Sequence, residues 1–248
     1  MFPSKTTVMS GGSVYDNRNS VLFDGTNDYV NIDTVVGDIE GNNVGTISFW
    51  INYVAGISGD SANVFTISDG SAAEYLQINV DSNTVTNALR FHLTSSGTGS
   101  DPTLVTSAAY NDAWHHVVLT SNGSACTLYI DGGTAGLATN TNNAGQWLND
   151  LADLDAGRIG GLRISGAEKS FTGKMDDVAI WTVALDSSTV NTIYNGGTPI
   201  DLTVDHSTGL IGYWQFNEGS GVNAIDSSGQ GNIGTLESGP SFGEPPPR

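Results

Sequence analysis

The sequence predicts an all-β fold, a jelly-roll sandwich of two antiparallel sheets with one short helix, and three observations carry that prediction. Short runs with period-two alternation recur from Ser20 to Phe216. Stretches rich in Asp, Asn, Gly and Ser separate them, which is the chemistry that tight turns require. The composition agrees: 32 glycines in 248 residues, 14% charged residues and a 38% hydrophobic share suit many short strands around one sizeable core. All-β sandwiches commonly reach ~200–250 residues as one unit, so the length does not demand a second domain.

Residues 1–18 are polar and rich in Gly and Ser, and read as an arm. Ser20–Asp24 and Tyr29–Ile32 flank the turn Gly25-Thr26-Asn27-Asp28. Thr46–Val54 alternates so that Ile47, Phe49 and Ile51 share one face and Trp50 takes the other. Further strands are expected at Val64–Ile67, Tyr75–Val80, Leu89–Leu93 and Trp114–Thr120, and Ala125–Gly136 reads as a hairpin around Asp131-Gly132-Gly133. Residues 138–156 are less regular and read as a long loop of the kind that carries binding in β scaffolds. A helix follows Leu185, where Asp186 or Ser187 caps, Val190, Ile193 and Tyr194 fall at i, i+3 and i+4, and Gly196 terminates. It is expected to pack on the sandwich edge. Leu210–Asn217 is the last strand, and residues 240–248, ending in Glu244-Pro245-Pro246-Pro247-Arg248, read as an extended tail barred from a sheet interior. The body is therefore expected over 19–239.

Eight Lys and Arg against 26 Asp and Glu leave a formal net charge of −18, a field that repels nucleic acid. No apolar stretch approaches ~18 residues, so no membrane-spanning helix is expected. Met1–Thr7 lacks the basic start and apolar run of a secretory signal. Cys126 is the sole cysteine, which excludes an intrachain disulfide, and its alternating surroundings read as those of a buried structural thiol.

Catalysis finds little support. Glycoside hydrolysis needs two carboxylates across one bond, yet Glu40, Glu74, Glu168, Glu218, Glu237 and Glu244 are isolated from one another. Asp176 and Asp177 are adjacent, but neighbours on a strand point to opposite faces, and the same alternation splits His115 from His116. No serine or cysteine has a recognisable triad context, and scattered histidines with one cysteine make no zinc set. For carbohydrate recognition an exposed aromatic platform is wanted, and Trp147 in the long loop is the candidate glycan-binding residue.

Five segments, in order over residues 20–197, together resemble the laminin-G-like branch of the concanavalin A-like lectin/glucanase superfamily: Leu22–Val30 with its Phe23-Asp24-Gly25, Thr46–Trp50, Trp114–Thr120, Leu128–Gly132 and Phe171–Trp181. The run Gly212-Tyr213-Trp214-Gln215-Phe216-Asn217-Glu218-Gly219 with Asp226–Asn232 resembles the family's opening strand and loop, yet here it comes last. It is either a permuted strand completing the same sandwich or the start of a second copy. The stretch after Gly197 is too short for a second sandwich, which favours completion. This late placement is similar to that of laminin-G-like proteins encoded by tailed phages.

The resemblance implies a concanavalin A-like sandwich in a non-catalytic virion structural or decoration protein, located at the virion surface and contacting glycans of a host or its environment. Its implied partners are virion structural proteins or further copies of itself, a homo-oligomer and by analogy a trimer. The alternative is a secreted or surface-attached, extracellular, Ca-dependent carbohydrate-binding module, with a glycoside hydrolase ranked below both. The resemblance further implies a structural Ca²⁺ ion, a hard cation seeking loop oxygens. Its candidate metal ligands are Asp226 and Asn232 in the late loop and Asp176 from a neighbouring strand, with simple turn formation weighing equally for the loop residues.

Overall fold

A computed structural model describes residues 15–58, 62–71, 73–81, 83–95, 101–165 and 167–246. The first fourteen residues of the expected arm and the last two of the expected tail lie outside the described residues. In chain order the strands begin with β1 (Ser20–Asp24), β2 (Tyr29–Asn31), β3 (Gly45–Asn52), β4 (Asn63–Ser68), β5 (Tyr75–Asp81), β6 (Ala88–Thr94) and β7 (Thr103–Ala109). They continue with β8 (His115–Ser121), β9 (Cys126–Ile130), β10 (Gly133–Thr134), β11 (Leu137–Thr141), β12 (Ala156–Ile159), β13 (Gly161–Ile164) and β14 (Ala167–Ser170). The last are β15 (Thr172–Trp181), β16 (Leu210–Trp214), β17 (Asn223–Ala224), β18 (Gly234–Glu237) and β19 (Ser241–Gly243).

Two large antiparallel sheets make the sandwich. One runs β10-β9-β8-β3-β15-β1-β19 with β16 also on β15, the other β11-β7-β6-β5-β4-β12-β2-β18-β17, and β13-β14 form a separate hairpin. The ten-residue β15 is the spine of the first sheet. β3 follows one of its sides, while on the other β1 takes its first half, up to Met175↔Val21, and β16 its second, from Val178↔Trp214. The late strand thus fills a place in the first sandwich.

Alternation decides which side chains meet between the sheets. Ile47, Phe49 and Ile51 of β3 share one buried cluster with Leu76 and Ile78 of β5 and Leu89 and Phe91 of β6. Each such side chain contributes about 1.5–3 kcal/mol by leaving water. Trp50 takes the opposite face, with its ring 5.1 Å from His116 and 6.0 Å from Tyr194.

Several expectations are corrected. Among the described residues the helix α2 (Ser187–Tyr194), preceded by the single turn α1 (Val36–Ile39) and followed by the single turn α3 (Leu202–Asp205), makes three α-helices where one helix was expected. Asp186 caps α2 by accepting the Thr189 N–H at 2.8 Å, and Asn195 closes it in the left-handed region. Instead of sitting on an edge, α2 covers the outer face of the first sheet, where Val190 and Ile193 join Val118, Ala179, Trp181 and Tyr213 in a second core. The arm ends earlier than residue 18, because Tyr15 donates to Asp177 at 2.5 Å and Asn17 to Asp176 at 2.8 Å. The tail is also docked: β19 pairs with β1, and Ser20 donates to the Glu244 carbonyl at 2.7 Å. Among the described residues no helix is long and apolar enough to cross a membrane.

The expected loop 138–156 is in part the strand β11, which pairs with β7. The rest plugs one end of the core. Trp147 is only 2% exposed, and Leu148, Leu151 and Leu154 are buried with it. The expectation of an exposed platform at Trp147 is therefore corrected: its indole lines an apolar niche with Ile39, Ile47, Phe65 and Trp181.

Candidate functional site

The second sheet carries the candidate site on its outer face. In β5, Leu76, Ile78 and Val80 enter the core, which turns Tyr75, Gln77, Asn79 and Asp81 outward. β6 repeats the pattern, with Leu89, Phe91 and Leu93 inward and Arg90 and His92 outward. Register then aligns Tyr75 with Thr94, Gln77 with His92 and Asn79 with Arg90, while β4 brings Asn63 beside Asn79. A row of amides and a guanidinium results.

The hairpin β13-β14 supplies a wall. It lies over β4, held where the Thr66 hydroxyl donates to the Gly161 carbonyl at 2.9 Å and the Ser68 hydroxyl to that of Arg163 at 3.2 Å. Leu162, Ile164 and Lys169 of this hairpin then border the floor of Gln77, Asn79 and Arg90, along an open cavity of about 250 Å³. Sugar sites combine polar groups of this kind with an aromatic surface, and here the half-exposed Tyr75 stands at the rim.

The floor is braced from beneath and from the side. Gln77 donates to Asn63 Oδ1 at 2.5 Å. His92 has Thr103 Oγ1 2.9 Å from Nδ1 and Thr94 Oγ1 2.7 Å from Nε2, with its ring 5.9 Å from Tyr75. Burial, and then the Arg90 charge, lower the His92 pKa to about 4, so the ring is neutral at neutral pH. Asn79 Oδ1 accepts no hydrogen bond among the described residues. Asp81 is the one carboxylate among the described lining residues. It accepts the backbone N–H of Thr84 at 2.8 Å and of Asn83 at 3.3 Å; burial pushes its pKa up, but these bonds outweigh that and hold it below the ordinary aspartate range.

The expected metal ligands fare differently. Asp226 and Asn232 do meet, but as a turn: Asp226 accepts the N–H groups of Tyr213 and Ser228 at 2.9 Å each on Oδ1, and on Oδ2 the Asn232 N–H and the Ser228 hydroxyl at 2.8 Å each. Those four donors occupy the acceptor positions of a carboxylate. Asn232 turns its amide N–H groups to Asp38 and to the Ile211 carbonyl. Asp176 bonds to Asn17 and to the Asp177 N–H, not to this turn. The three residues do not fit a calcium site, and among the described residues no group of three or more His, Cys, Asp or Glu is placed to hold a metal ion.

Asp176 and Asp177 also correct the alternation expectation. A register shift between Asp176 and Ala179, with Asp177 at φ 46°, breaks the two-residue period. One Asn17 amide consequently reaches both carboxylates, at 2.8 and 3.2 Å. Both are buried, so the pair faces no substrate. Burial first and the mutual charge second raise the Asp176 pKa, and burial raises that of Asp177 despite hydrogen bonds from Tyr15 and Tyr213. Ser48 lies 2.9 Å from His116 Nε2, yet both are buried and the imidazole pKa is lowered to about 4 by burial, so this contact has no access to a substrate.

Sequence reasoning missed the outer-face cavity, although its signal lay in the same alternation that located the strands: Tyr75, Gln77 and Asn79 recur at every second position. Buried Trp147 also had a signal, since Trp147, Leu148, Leu151 and Leu154 repeat apolar groups at a spacing suited to burial.

A family model described as the concanavalin A-like lectin/glucanases superfamily matches residues 24–191, which contain the whole cavity lining. No curated protein sequence matches the chain significantly. Among solved structures, a Bacteroides ovatus protein provisionally assigned to carbohydrate binding is similar at TM-score 0.60 and 17% identity, covering 93% of this chain and 61% of its own. This chain thus spans under two thirds of that protein. The CBM40 of a Ruminococcus gnavus IT-sialidase, bound to α2,3-sialyllactose, is similar at TM-score 0.57 and 12% identity over 71% of this chain and 97% of its own. A heptameric SAP-like pentraxin from Limulus polyphemus is similar at TM-score 0.55 and 14% identity over 92% and 95%. Identities this low speak to the shared fold alone.

Proposed function

This chain belongs to the concanavalin A-like lectin/glucanase superfamily, and from that premise we propose that it is a non-catalytic carbohydrate-binding module whose ligand sits in the cavity of Tyr75, Gln77, Asn79 and Arg90. The observation that carries this reading is the cavity itself: amides and a guanidinium on a rigid strand pair, an aromatic ring at the rim, and a hairpin for a wall. Strands hold such groups more precisely than loops do. A protein of the same fold, the IT-sialidase CBM40, holds a sugar in its solved structure. Hydrolysis is disfavoured because glycosidases work with two carboxylates, and Asp81, the lone carboxylate among the described lining residues, is committed to a turn.

Titration calorimetry of the full chain against a panel of neutral and acidic oligosaccharides tests this reading. Binding to at least one sugar, weakened by Asn79→Ala and unaccompanied by new reducing ends, supports it. Release of reducing ends, or no binding across the panel, overturns it. Display on a virion surface as an oligomer is part of the same proposal, supported by the family resemblance, and light scattering that finds only monomer would remove it.

A further inference from the structure

Resting on the glycan-binding reading of this cavity, we propose that its ligand is an acidic sugar whose carboxylate docks on Arg90. The shared chemistry is a carboxylated glycan, from a uronic or a sialic acid source.

Charge distribution is the first support. The chain has eight Lys and Arg against 26 Asp and Glu, yet among the described lining residues Arg90 is accompanied by a single acid. That one acid, Asp81, is already engaged by backbone N–H groups. Arg90 is therefore the charge in this lining that stands open to an anionic ligand. At physiological salt the screening length is about 8 Å, so the distant acids weigh little against a guanidinium in contact with a ligand.

The second support is a contrast between two guanidiniums. Arg158, 3% exposed, serves structure, and it is paired with Asp33 and with Glu168, the latter at 3.3 Å. Arg90 is also partly withdrawn from water, but it makes no ion pair or side-chain hydrogen bond among the described residues. A charge taken part-way out of water without a partner is costly. A planar guanidinium matches a carboxylate through two parallel N–H donors. Asn79, directly across the strand pair, leaves its amide oxygen without a donor among the described residues, and a sugar hydroxyl beside the carboxylate is suited to supply one.

The test uses the full chain and paired probes that differ in the acid group: oligogalacturonate against its methyl ester, and sialyllactose against lactose. The expected result is binding of one acidic member at least tenfold tighter than its neutral counterpart. Arg90→Gln should abolish that preference and Arg90→Lys restore part of it, with both variants keeping the native melting temperature within a few degrees. Preference for oligogalacturonate assigns a uronic source and preference for sialyllactose a sialic one. Equal or tighter binding of the neutral members, lost on Asn79→Ala, overturns the acidic assignment while leaving the glycan-binding reading in place. An acidic preference that survives Arg90→Gln puts the carboxylate elsewhere and also overturns the inference. No binding of any probe, neutral or acidic, overturns both readings.

Discussion

Asn79 and Arg90 face each other across β5 and β6, and their chain neighbours Ile78, Val80, Leu89 and Phe91 are all buried in the core. The hydrophobic alternation that builds the sandwich therefore also aims an amide and a guanidinium at the same outer cavity. Function and stability share these strands but occupy opposite faces, so the two are separable by mutation.

Tyr75 gives the cleanest separation. It is half-exposed at the rim, while Leu76 beside it is fully buried. Aromatic contacts contribute about 0.5–1.5 kcal/mol beyond area burial, so Tyr75→Ala is expected to weaken glycan binding by up to about tenfold. The melting temperature should change little. Calorimetric titration alongside thermal unfolding checks both halves.

Trp147 should behave in the opposite way. Its indole is buried against Ile47, Phe65 and Trp181, and truncating a buried Trp costs about 3–5 kcal/mol. For a chain of this size Trp147→Ala is expected to lower the melting temperature by roughly 6–20 °C. Glycan affinity measured well below the transition should stay within twofold. A variant as stable as the wild type would show that the loop does not seal the core.

The buried acids give a pH dependence with a definite sign. Burial raises the Asp177 pKa to about 7, while His92 and His116 are lowered to about 4. Where the folded pKa of an acid exceeds its unfolded value, the native state holds more protons, and stability falls as pH rises between about 4 and 7. The histidines act in the other direction: their stabilising contribution is present above about 6.5 and is lost as pH falls toward 4. Both histidines are present in wild type and in Asp177→Asn alike, so their contribution cancels in the difference between the two proteins. Melting temperatures from about pH 5 to 8, in chelating buffer so that the carboxylates titrate protons alone, should therefore show the wild type losing stability relative to Asp177→Asn as pH rises.

Cys126 should be chemically silent in the native protein. It is 3% exposed, its thiol lies 3.4 Å from the Gln146 carbonyl, and burial pushes its pKa up to about 12. Thiolate is the reactive form. An aromatic disulfide reagent at pH 8 is expected to leave it unmodified until the protein unfolds, and rapid native labelling would contradict this burial.

The fold class, the order of most strands, the capped helix after Leu185 and the buried thiol were legible in the sequence, because alternation, turn chemistry and capping are local patterns. Ile47, Phe49 and Ile51 went inward and Trp50 outward as that alternation dictates. The site was only half legible: period two placed Tyr75, Gln77 and Asn79 on one face, but it contains nothing about what lies over that face. Tertiary structure alone decided that the hairpin β13-β14 folds across β4 and walls the cavity. It likewise decided that Trp147 turns into the core, and that a bulge carries Asp177 to the same side as Asp176. The physical reason is common to all three. Local patterns say which side chains need to leave water, but which surface covers them depends on contacts between residues such as Thr66 and Gly161, or Asn17 and Asp176, that lie far apart in the chain.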